Sequence, residues 1–304
     1  MVPCSVPKEM VAVYKRHWDL VTKQTGRLFL FAGDQKIEHL NADFYSGETH
    51  TPAHVISPDA KHPEHLFKIA AAARIGVFAT QLGLVARHGA DHAAVPYLIK
   101  MNAKTNLIPL EVDDPLSLPL VTVDQVVRFK QQSGLQVVGI GLTIYLGSKY
   151  EAQMLAEASK AIVEAHQHGL LTVLWIYPRG KAVRKERTEA IIAGAAGVAH
   201  ALGADFVKVN PPLTEQGDLD AALLKQASAA AGNTGVLCSG GPAVDAEAFL
   251  HVVHQQMHAG GIAGAAIGRN IHQKNLPEAV AFCDALAAII YDGAEVAEAV
   301  QKLQ

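Results

Sequence analysis

The stretch FVKVN, residues 206–210, places one charged residue, Lys208, among apolar neighbours of the kind that form buried strands. An ammonium group is costly to desolvate, so burial favours the neutral amine. A neutral amine attacks carbonyl carbon and forms a Schiff base. The stretch therefore predicts a nucleophilic lysine, with a snorkelling or ion-paired lysine as the structural alternative.

An aromatic pair stands in an earlier apolar run, LTVLWIYP, residues 171–178. Trp175 and Tyr177 are two positions apart, so they share one face of a strand, as Lys208 and Asn210 do on the next strand. If both faces point into one interior, the aromatic wall keeps the amine neutral and the phenol transfers protons. The alternative for Tyr177 is a core side chain with a hydrogen-bonded hydroxyl.

Small residues follow two later apolar runs, as SGG at 239–241 and as GRN at 268–270. Small residues let a ligand approach the backbone closely and leave N–H groups to face it. Phosphate binding after the seventh and eighth strands recurs in eight-stranded α/β barrels. The predicted phosphate contacts are Ser239, Gly240, Gly241, Gly268 and Arg269.

Other charged residues lie near the ends of apolar runs. Asp34 closes the first run, where it either orients the amine or caps a turn. Lys100 lies in the third run, and an ion pair in the barrel mouth and a substrate contact remain equal alternatives. Arg179 and Lys181 begin the basic run RGKAVRKER, residues 179–187, which forms either a solvated loop or a second phosphate contact.

Eight short apolar runs alternate with amphipathic segments along the chain. Strands that alternate with helices form a parallel sheet, and eight units favour a closed (β/α)₈ TIM barrel of the α/β class. No GxGxxG follows the first run, which disfavours an open dinucleotide-binding sheet. Active sites of such barrels lie at the carboxyl ends of the strands. The runs are 27–34, 76–80, 96–102, 136–143, 171–178, 205–212, 235–241 and 263–270.

Composition bounds the class of protein. The 304 residues are 50% hydrophobic and 18% charged with a net charge of −3, which predicts a large core and disfavours nucleic acid as a partner. Three cysteines form no disulfide framework, and no leader or membrane-spanning stretch is apparent, so we expect a cytoplasmic protein. We expect one domain over 1–304, with an insertion at about 40–63 after the first strand and a long loop at 106–121.

Fifteen histidines raise metal catalysis as a rival chemistry. However, no histidine pair has a tight ligand spacing beside a strand end, so we predict no metal and no cofactor. Five of the histidines fall in or near the insertion, namely His39, His50, His54, His62 and His65.

The ordered motifs WIYPRG, GADFVKVN, SGG and GRN resemble those of archaeal-type class I fructose-bisphosphate aldolases over about residues 96–275. The resemblance implies reversible cleavage of fructose 1,6-bisphosphate by a homo-oligomer, with Lys208 as the Schiff-base lysine and Tyr177 as proton donor and acceptor. It also implies Asp34 as the first-strand acid and Trp175 beside the substrate. The implied phosphate contacts are Ser239, Gly240, Gly241, Gly268 and Arg269.

The first strand departs from that family, whose acid is usually followed by a His-Gly pair. Here the run is AGDQKIEHLN, which brings Lys36, Glu38 and His39 close to the site. The substrate therefore stays open between fructose bisphosphate and that of a related Schiff-base enzyme, such as an aminodideoxyheptulosonate synthase or a deoxyribose-phosphate-type aldolase. A silent sugar-phosphate-binding protein and a metal-dependent aldolase are the alternatives from other classes.

Overall fold

The strands form the barrel that the alternating pattern predicts. The computed structural model describes residues 2–45, 56–241 and 243–303. Eight parallel strands close a barrel in chain order, each paired with its sequence neighbours and the last with the first. The prediction of a (β/α)₈ barrel is confirmed. The strands are β1 (Leu28–Ala32), β2 (Val77–Thr80), β3 (Tyr97–Lys100), β4 (Val137–Tyr145), β5 (Leu171–Tyr177), β6 (Phe206–Val209), β7 (Gly235–Ser239) and β8 (Gly264–Ile267).

Helices cover the outside of the barrel. The three longest of them follow β4, β5 and β7, and several helices begin with a side-chain cap, as at Thr122 and Thr188. The helices are α1 (Val11–Thr22), α2 (Gln35–Glu38), α3 (Pro63–Ala72), α4 (Leu82–His88), α5 (Val123–Ser133), α6 (Glu151–Gln167), α7 (Glu189–Leu202), α8 (Leu224–Ala230), α9 (Ala246–His258), α10 (Arg269–His272), α11 (Leu276–Ala287) and α12 (Val296–Val300).

Alternation along each strand separates the barrel interior from the strand–helix layer. On β5, Val173 and Trp175 pack in the interior cluster, whereas Leu174 and Ile176 pack in the outer one. On β6, Phe206 belongs to the interior cluster, and Val207 and Val209 to the outer one. Because side chains alternate, Lys208 points into the barrel.

The amino-terminal end of the barrel is closed by α1. The Trp18 ring stacks on Phe206 with centroids 5.0 Å apart. The Tyr14 hydroxyl donates to the buried carboxylate of Asp205 just before β6, which also accepts from the Thr172 backbone N–H at 2.7 Å. Through these contacts α1 packs against Asp205 and Phe206 at the start of β6, the strand that carries Lys208.

Two long segments follow the carboxyl ends of β1 and β3 in the sequence. Part of the predicted insertion, residues 46–55, lies outside the described residues, and the described part ends with a 3₁₀ turn at Pro58–Lys61. The predicted loop 106–121 connects β3 to α5 and contains no helix or extended strand. The Asn102 side chain anchors it by donating to Ser117 O at 3.0 Å. No described helix is long and apolar enough to cross a membrane. One domain over 1–304 stays a prediction.

Gly141 makes room for the aromatic wall of the barrel interior. A Cβ at this position would lie 2.4 Å from Cζ3 of Trp175 and 2.9 Å from Leu98 Cδ2. We expect Gly141→Ala to lower the free energy of unfolding by about 1–3 kcal/mol, because the core has no space for an extra methyl group. Urea unfolding measures the change.

Gly83→Ala provides the matched control, since a Cβ on this exposed α4 glycine meets nothing within 4 Å. We expect that variant to be as stable as the parent or about 0.5–1 kcal/mol more stable. Equal behaviour of the two variants would show that Trp175 has room to move.

Candidate active site

A cavity opens at the carboxyl ends of the strands and collects most of the predicted residues. Of the eleven predicted side chains and glycines, all but Lys100 line it. Five further residues on its wall were not among the predicted contacts, namely Gln35, Glu38, His39, Asn210 and Ala266. The predicted lining residues are Asp34, Trp175, Tyr177, Arg179, Lys208, Ser239, Gly240, Gly241, Gly268 and Arg269.

Lys208 is buried and lines this cavity. Its register partner on β5 is Trp175, and its Nζ lies 5.6 Å from the centroid of that ring. Burial lowers the pKa of Lys208 to about 8; Asp34 opposes the shift, and the positive charge of Lys100 adds to it. A substantial fraction of the amine is therefore neutral and nucleophilic near pH 7 to 8.

Lys100 is buried below the cavity and bonded within the barrel wall. Its Nζ donates to Thr143 Oγ1 at 2.6 Å and to Asn102 O at 3.1 Å, and lies 3.8 Å from Asp34 Oδ2. Burial lowers the pKa of Lys100, and Asp34 and Glu38 oppose the shift. This geometry favours the ion-pair alternative over substrate contact, since the amine is bonded to Thr143 and Asn102 and Lys100 is not among the residues that line the cavity.

Tyr177 ends β5 at the rim of the site. Burial raises the pKa of its phenol, and the negative charges of Glu38 and Asp34 raise it further. Its hydroxyl therefore stays protonated across the physiological range and can donate a proton to a leaving group. The guanidinium of Arg179 lies 5.5 Å from the ring centroid and is also held by Glu186 at 3.4 Å.

The end of the cavity near β7 and β8 is built for close backbone approach. A Cβ at Gly268 would lie 2.2 Å from Gln35 Nε2, so only glycine fits there without a shift of Gln35. Gly241 has φ +65°, a conformation that favours glycine. The Ser239 hydroxyl donates to Asn210 Oδ1 at 2.7 Å. These features leave a small, polar pocket with Arg269 at its edge.

Lys181 was a weak candidate for a second phosphate, and the structure places it elsewhere. Its ammonium donates to Val112 O at 3.2 Å, and its backbone N–H donates to Asp114 Oδ1 at 2.7 Å. The side chain thus ties the 179–187 segment to the 106–121 loop, and it does not line the cavity. Arg179, two residues earlier, does.

The histidines scatter through the described part of the molecule. His39 Nδ1 lies 2.9 Å from Asp43 Oδ2, which is itself near Arg269, and His65 bonds Lys274 O at 2.9 Å. His50 and His54 lie outside the described residues. Among residues 2–45, 56–241 and 243–303, no three His, Cys, Asp or Glu side chains are placed to share a metal ion. The expectation of no metal stays a prediction.

Sequence reasoning missed a second phenol, Tyr145. The predicted fourth run ended at residue 143, whereas β4 continues to Tyr145. Tyr145 pairs in register with Tyr177, and their ring centroids are 6.3 Å apart. Its hydroxyl donates to Glu38 Oε1 at 2.9 Å. The available signal was the two-residue period of the strand, which continues through IGLTIY.

The chain matches known proteins over nearly its whole length. The model of the DeoC/LacD family aldolases matches residues 28–274. A relative from Methanocaldococcus jannaschii, named fructose-bisphosphate aldolase/6-deoxy-5-ketofructose 1-phosphate synthase, is 49% identical over 300 residues, which cover 99% of this chain and 93% of the relative. A class 1 fructose-bisphosphate aldolase from Thermoproteus tenax is 33% identical over 274 residues, 90% of this chain and 93% of the relative.

The solved structures to which this chain is similar include further fructose-bisphosphate aldolases. A fructose-bisphosphate aldolase from Slackia heliotrinireducens has a TM-score of 0.95 and 50% identity, covering 100% of this chain and 93% of its own. An archaeal fructose-1,6-bisphosphate aldolase, solved with its catalytic lysine covalently bound to the carbinolamine intermediate, has a TM-score of 0.76 and 30% identity, covering 91% of this chain and 99% of its own. The chain belongs to the DeoC/LacD family of aldolases, among the Schiff-base fructose-bisphosphate aldolases.

Proposed function

We propose that this protein is a class I fructose-bisphosphate aldolase, which reversibly cleaves fructose 1,6-bisphosphate into dihydroxyacetone phosphate and glyceraldehyde 3-phosphate. One observation carries the proposal: a lysine with a pKa lowered to about 8 faces a cavity beside a protonated phenol. The names of the relatives from Thermoproteus tenax and Methanocaldococcus jannaschii support it.

Binding would place the substrate ketone against Lys208. The C1 phosphate lies against the 239–241 backbone, Gly268 and Arg269, so C2 comes within reach of the amine. Neutral Lys208 attacks C2 and forms a carbinolamine. Tyr177 gives its proton to the carbinolamine hydroxyl, water leaves, and an iminium forms. Asp34 accepts hydrogen bonds from the amine and from a substrate hydroxyl.

Cleavage then uses the same tyrosine in the reverse sense. The Tyr177 phenolate takes the proton of the C4 hydroxyl, and the C3–C4 electron pair moves into the iminium to give an enamine. The aldehyde product leaves, C3 is protonated, and hydrolysis returns dihydroxyacetone phosphate and free Lys208. The iminium serves as the electron sink, so these steps require no metal ion or organic cofactor.

A second candidate reaction uses the same enamine with a different aldehyde. The Methanocaldococcus jannaschii relative, 49% identical to this chain, is also named for synthesis of 6-deoxy-5-ketofructose 1-phosphate. Breaking the C3–C4 bond of such a product gives dihydroxyacetone phosphate and a methyl-substituted 2-oxoaldehyde. The same enamine carbon would attack that aldehyde in place of glyceraldehyde 3-phosphate.

We further propose that the enzyme is one domain that works in the cytoplasm as a homo-oligomer on phosphorylated sugars. The 106–121 loop exposes several large apolar side chains, which supports burial of this surface against another copy. Leu107 is 69% exposed, Ile108 61%, Val112 69% and Leu120 58%.

The Schiff base can be trapped. Borohydride added with dihydroxyacetone phosphate should inactivate the enzyme and reduce the imine to a stable amine on the peptide that contains Lys208, as read by peptide mass spectrometry. Lys208→Met should give neither adduct nor activity, whereas Lys100→Met should still give the adduct at Lys208. An adduct on Lys100, or an active enzyme with none, would refute the assignment.

Tyr177→Phe separates proton transfer from packing. The ring contacts are kept, so a purely structural tyrosine would cost about 1 kcal/mol of stability with little change in kcat. A proton-transfer role predicts that kcat falls by roughly 10²–10⁴. Because Lys208 is intact, the variant should still accumulate a borohydride-trappable adduct. A kcat within a few-fold of the parent would assign the proton to another group.

Activity should depend on pH through Lys208. Only the neutral amine attacks, so kcat/KM should rise with pH up to the lysine pKa of about 8 and level off above it. Lys100→Met removes a neighbouring positive charge, so the pKa of Lys208 should rise and this acid limb should move to higher pH.

Lys104→Met is the control for that shift, since Lys104 is a rim lysine that is not among the charges acting on Lys208. Its acid limb should stay in place. If the limb does not move in Lys100→Met, or moves equally in both variants, then Lys100 does not tune the nucleophile.

A further inference from the structure

Glu38 and Tyr145 form a carboxylate–phenol pair beside the proposed proton-transfer residue. The Tyr145 hydroxyl donates to Glu38 Oε1 at 2.9 Å, and Tyr145 is buried next to Tyr177. Glu38 lines the cavity, and its charge is the largest carboxylate influence on Tyr177. The proposed cleavage mechanism leaves both residues of the pair without a role.

The short helix α2 holds Glu38 in this position. The helix begins directly after Asp34, so Glu38 lies one turn farther along the cavity wall on the same face. Its backbone carbonyl accepts from Asn106 N–H at 2.9 Å, which ties α2 to the loop after β3. Leu40 follows with φ +52°, in the left-handed region that costs energy for residues other than glycine.

The pair lies at the acceptor end of the cavity. Strand β6, which carries Lys208, lies between β7, which leads into the 239–241 backbone pocket, and β5, which ends in Tyr177. Glu38 reaches the Tyr177 side through its bond with Tyr145, the register partner of Tyr177. If the phosphate of the enamine is held at the backbone pocket, its reactive carbon faces the Tyr177 side. The incoming aldehyde and the carbon next to its carbonyl must then lie against Glu38.

The bonding of Glu38 limits what it recognises. One oxygen of the carboxylate already accepts from Tyr145, and an ionised carboxylate has no proton to donate. Its remaining acceptor capacity suits a hydroxyl group on the substrate. A ketone oxygen in the same place would face a carboxylate with no donor between them, which is unfavourable in a buried site.

Building on the proposed aldolase function, we propose that Glu38, oriented by Tyr145, is the specificity-determining residue that binds the hydroxyl next to the aldehyde of the acceptor. The site thereby selects 2-hydroxyaldehydes, such as glyceraldehyde 3-phosphate, over 2-oxoaldehydes. Tyr145 is a positioning residue that keeps the carboxylate directed at the acceptor.

A matched pair of acceptors tests this selection. 2-Hydroxypropanal and 2-oxopropanal differ only in a hydroxyl against a ketone, and neither carries a phosphate. With dihydroxyacetone phosphate as donor, the parent should have the higher kcat/KM for the hydroxyaldehyde. Glu38→Gln gains an amide N–H that can donate to a ketone, so the hydroxyl-to-ketone ratio of kcat/KM should fall about 10²-fold. Any effect of the substitution on Tyr177 acts on both acceptors and cancels in the ratio.

Tyr145→Phe is the second variant, and it removes the orienting hydroxyl without changing charge. It should reduce kcat/KM for the hydroxyaldehyde more than for the oxoaldehyde, without the gain in oxoaldehyde use that Glu38→Gln provides. A structural role alone would reduce both acceptors equally in both variants and leave the ratio at the parental value, which would overturn the inference.

Exchange of the dihydroxyacetone phosphate C3 proton with deuterated solvent separates this inference from the function on which it rests. Exchange needs the enamine but no acceptor. A parent enzyme that neither exchanges nor traps at Lys208 would refute the aldolase proposal itself. A parent that exchanges normally, with an unchanged acceptor ratio in Glu38→Gln, would refute only the role of Glu38.

Discussion

Two buried lysines, Lys100 and Lys208, lie near the same Trp175 ring, and the site depends on which of them carries the positive charge. Lys100 has carbonyl and hydroxyl acceptors from Asn102 and Thr143 and lies 3.8 Å from the Asp34 carboxylate. Among the described residues, none accepts a hydrogen bond from Lys208, which faces Trp175 and the cavity. Acceptors stabilise an ammonium, and apolar surroundings stabilise an amine. The structure therefore favours Lys100 as the cation and Lys208 as the nucleophile.

The register of the barrel strands gives the two lysines these different surroundings. Trp175 and Lys208 are opposite each other on β5 and β6, and Thr143 is opposite Trp175 on β4. Gly141 leaves space for the Trp175 ring, whose centroid lies 5.1 Å from the amine of Lys100. A slip of one residue in any of these strands would turn its functional side chain to the helix layer. The packing of α1 beneath β6 opposes such a slip.

The features that repeat along the chain were predictable. Eight strand–helix units and the two-residue period place Lys208, Trp175 and Tyr177 in one interior, and the small residues after β7 and β8 follow from position in the fold.

Tyr145 was missed because the end of a strand depends on its neighbours: β4 is extended to that residue by pairing with all seven residues of β5. Glu38 lies on a four-residue helix, too short to show a period, and its direction is set by contacts with residues 106 and 145. For Lys181 the sequence left a solvated loop and a phosphate contact open, because its partners belong to a loop distant in sequence.

The backbone bond between Glu38 and Asn106 joins two segments, α2 and the loop after β3, and neither of them carries Trp175, Tyr177 or Lys208. Substitutions in α2 or in the loop after β3 can therefore change the shape of the proposed acceptor wall around Glu38 while Lys208 and Tyr177 keep their places. Inherited changes in these two segments can thus alter which acceptor the enzyme uses without altering the residues proposed to form the enamine. Evolution of this barrel toward other acceptor aldehydes therefore needs few substitutions, and each intermediate enzyme keeps the ability to form the enamine.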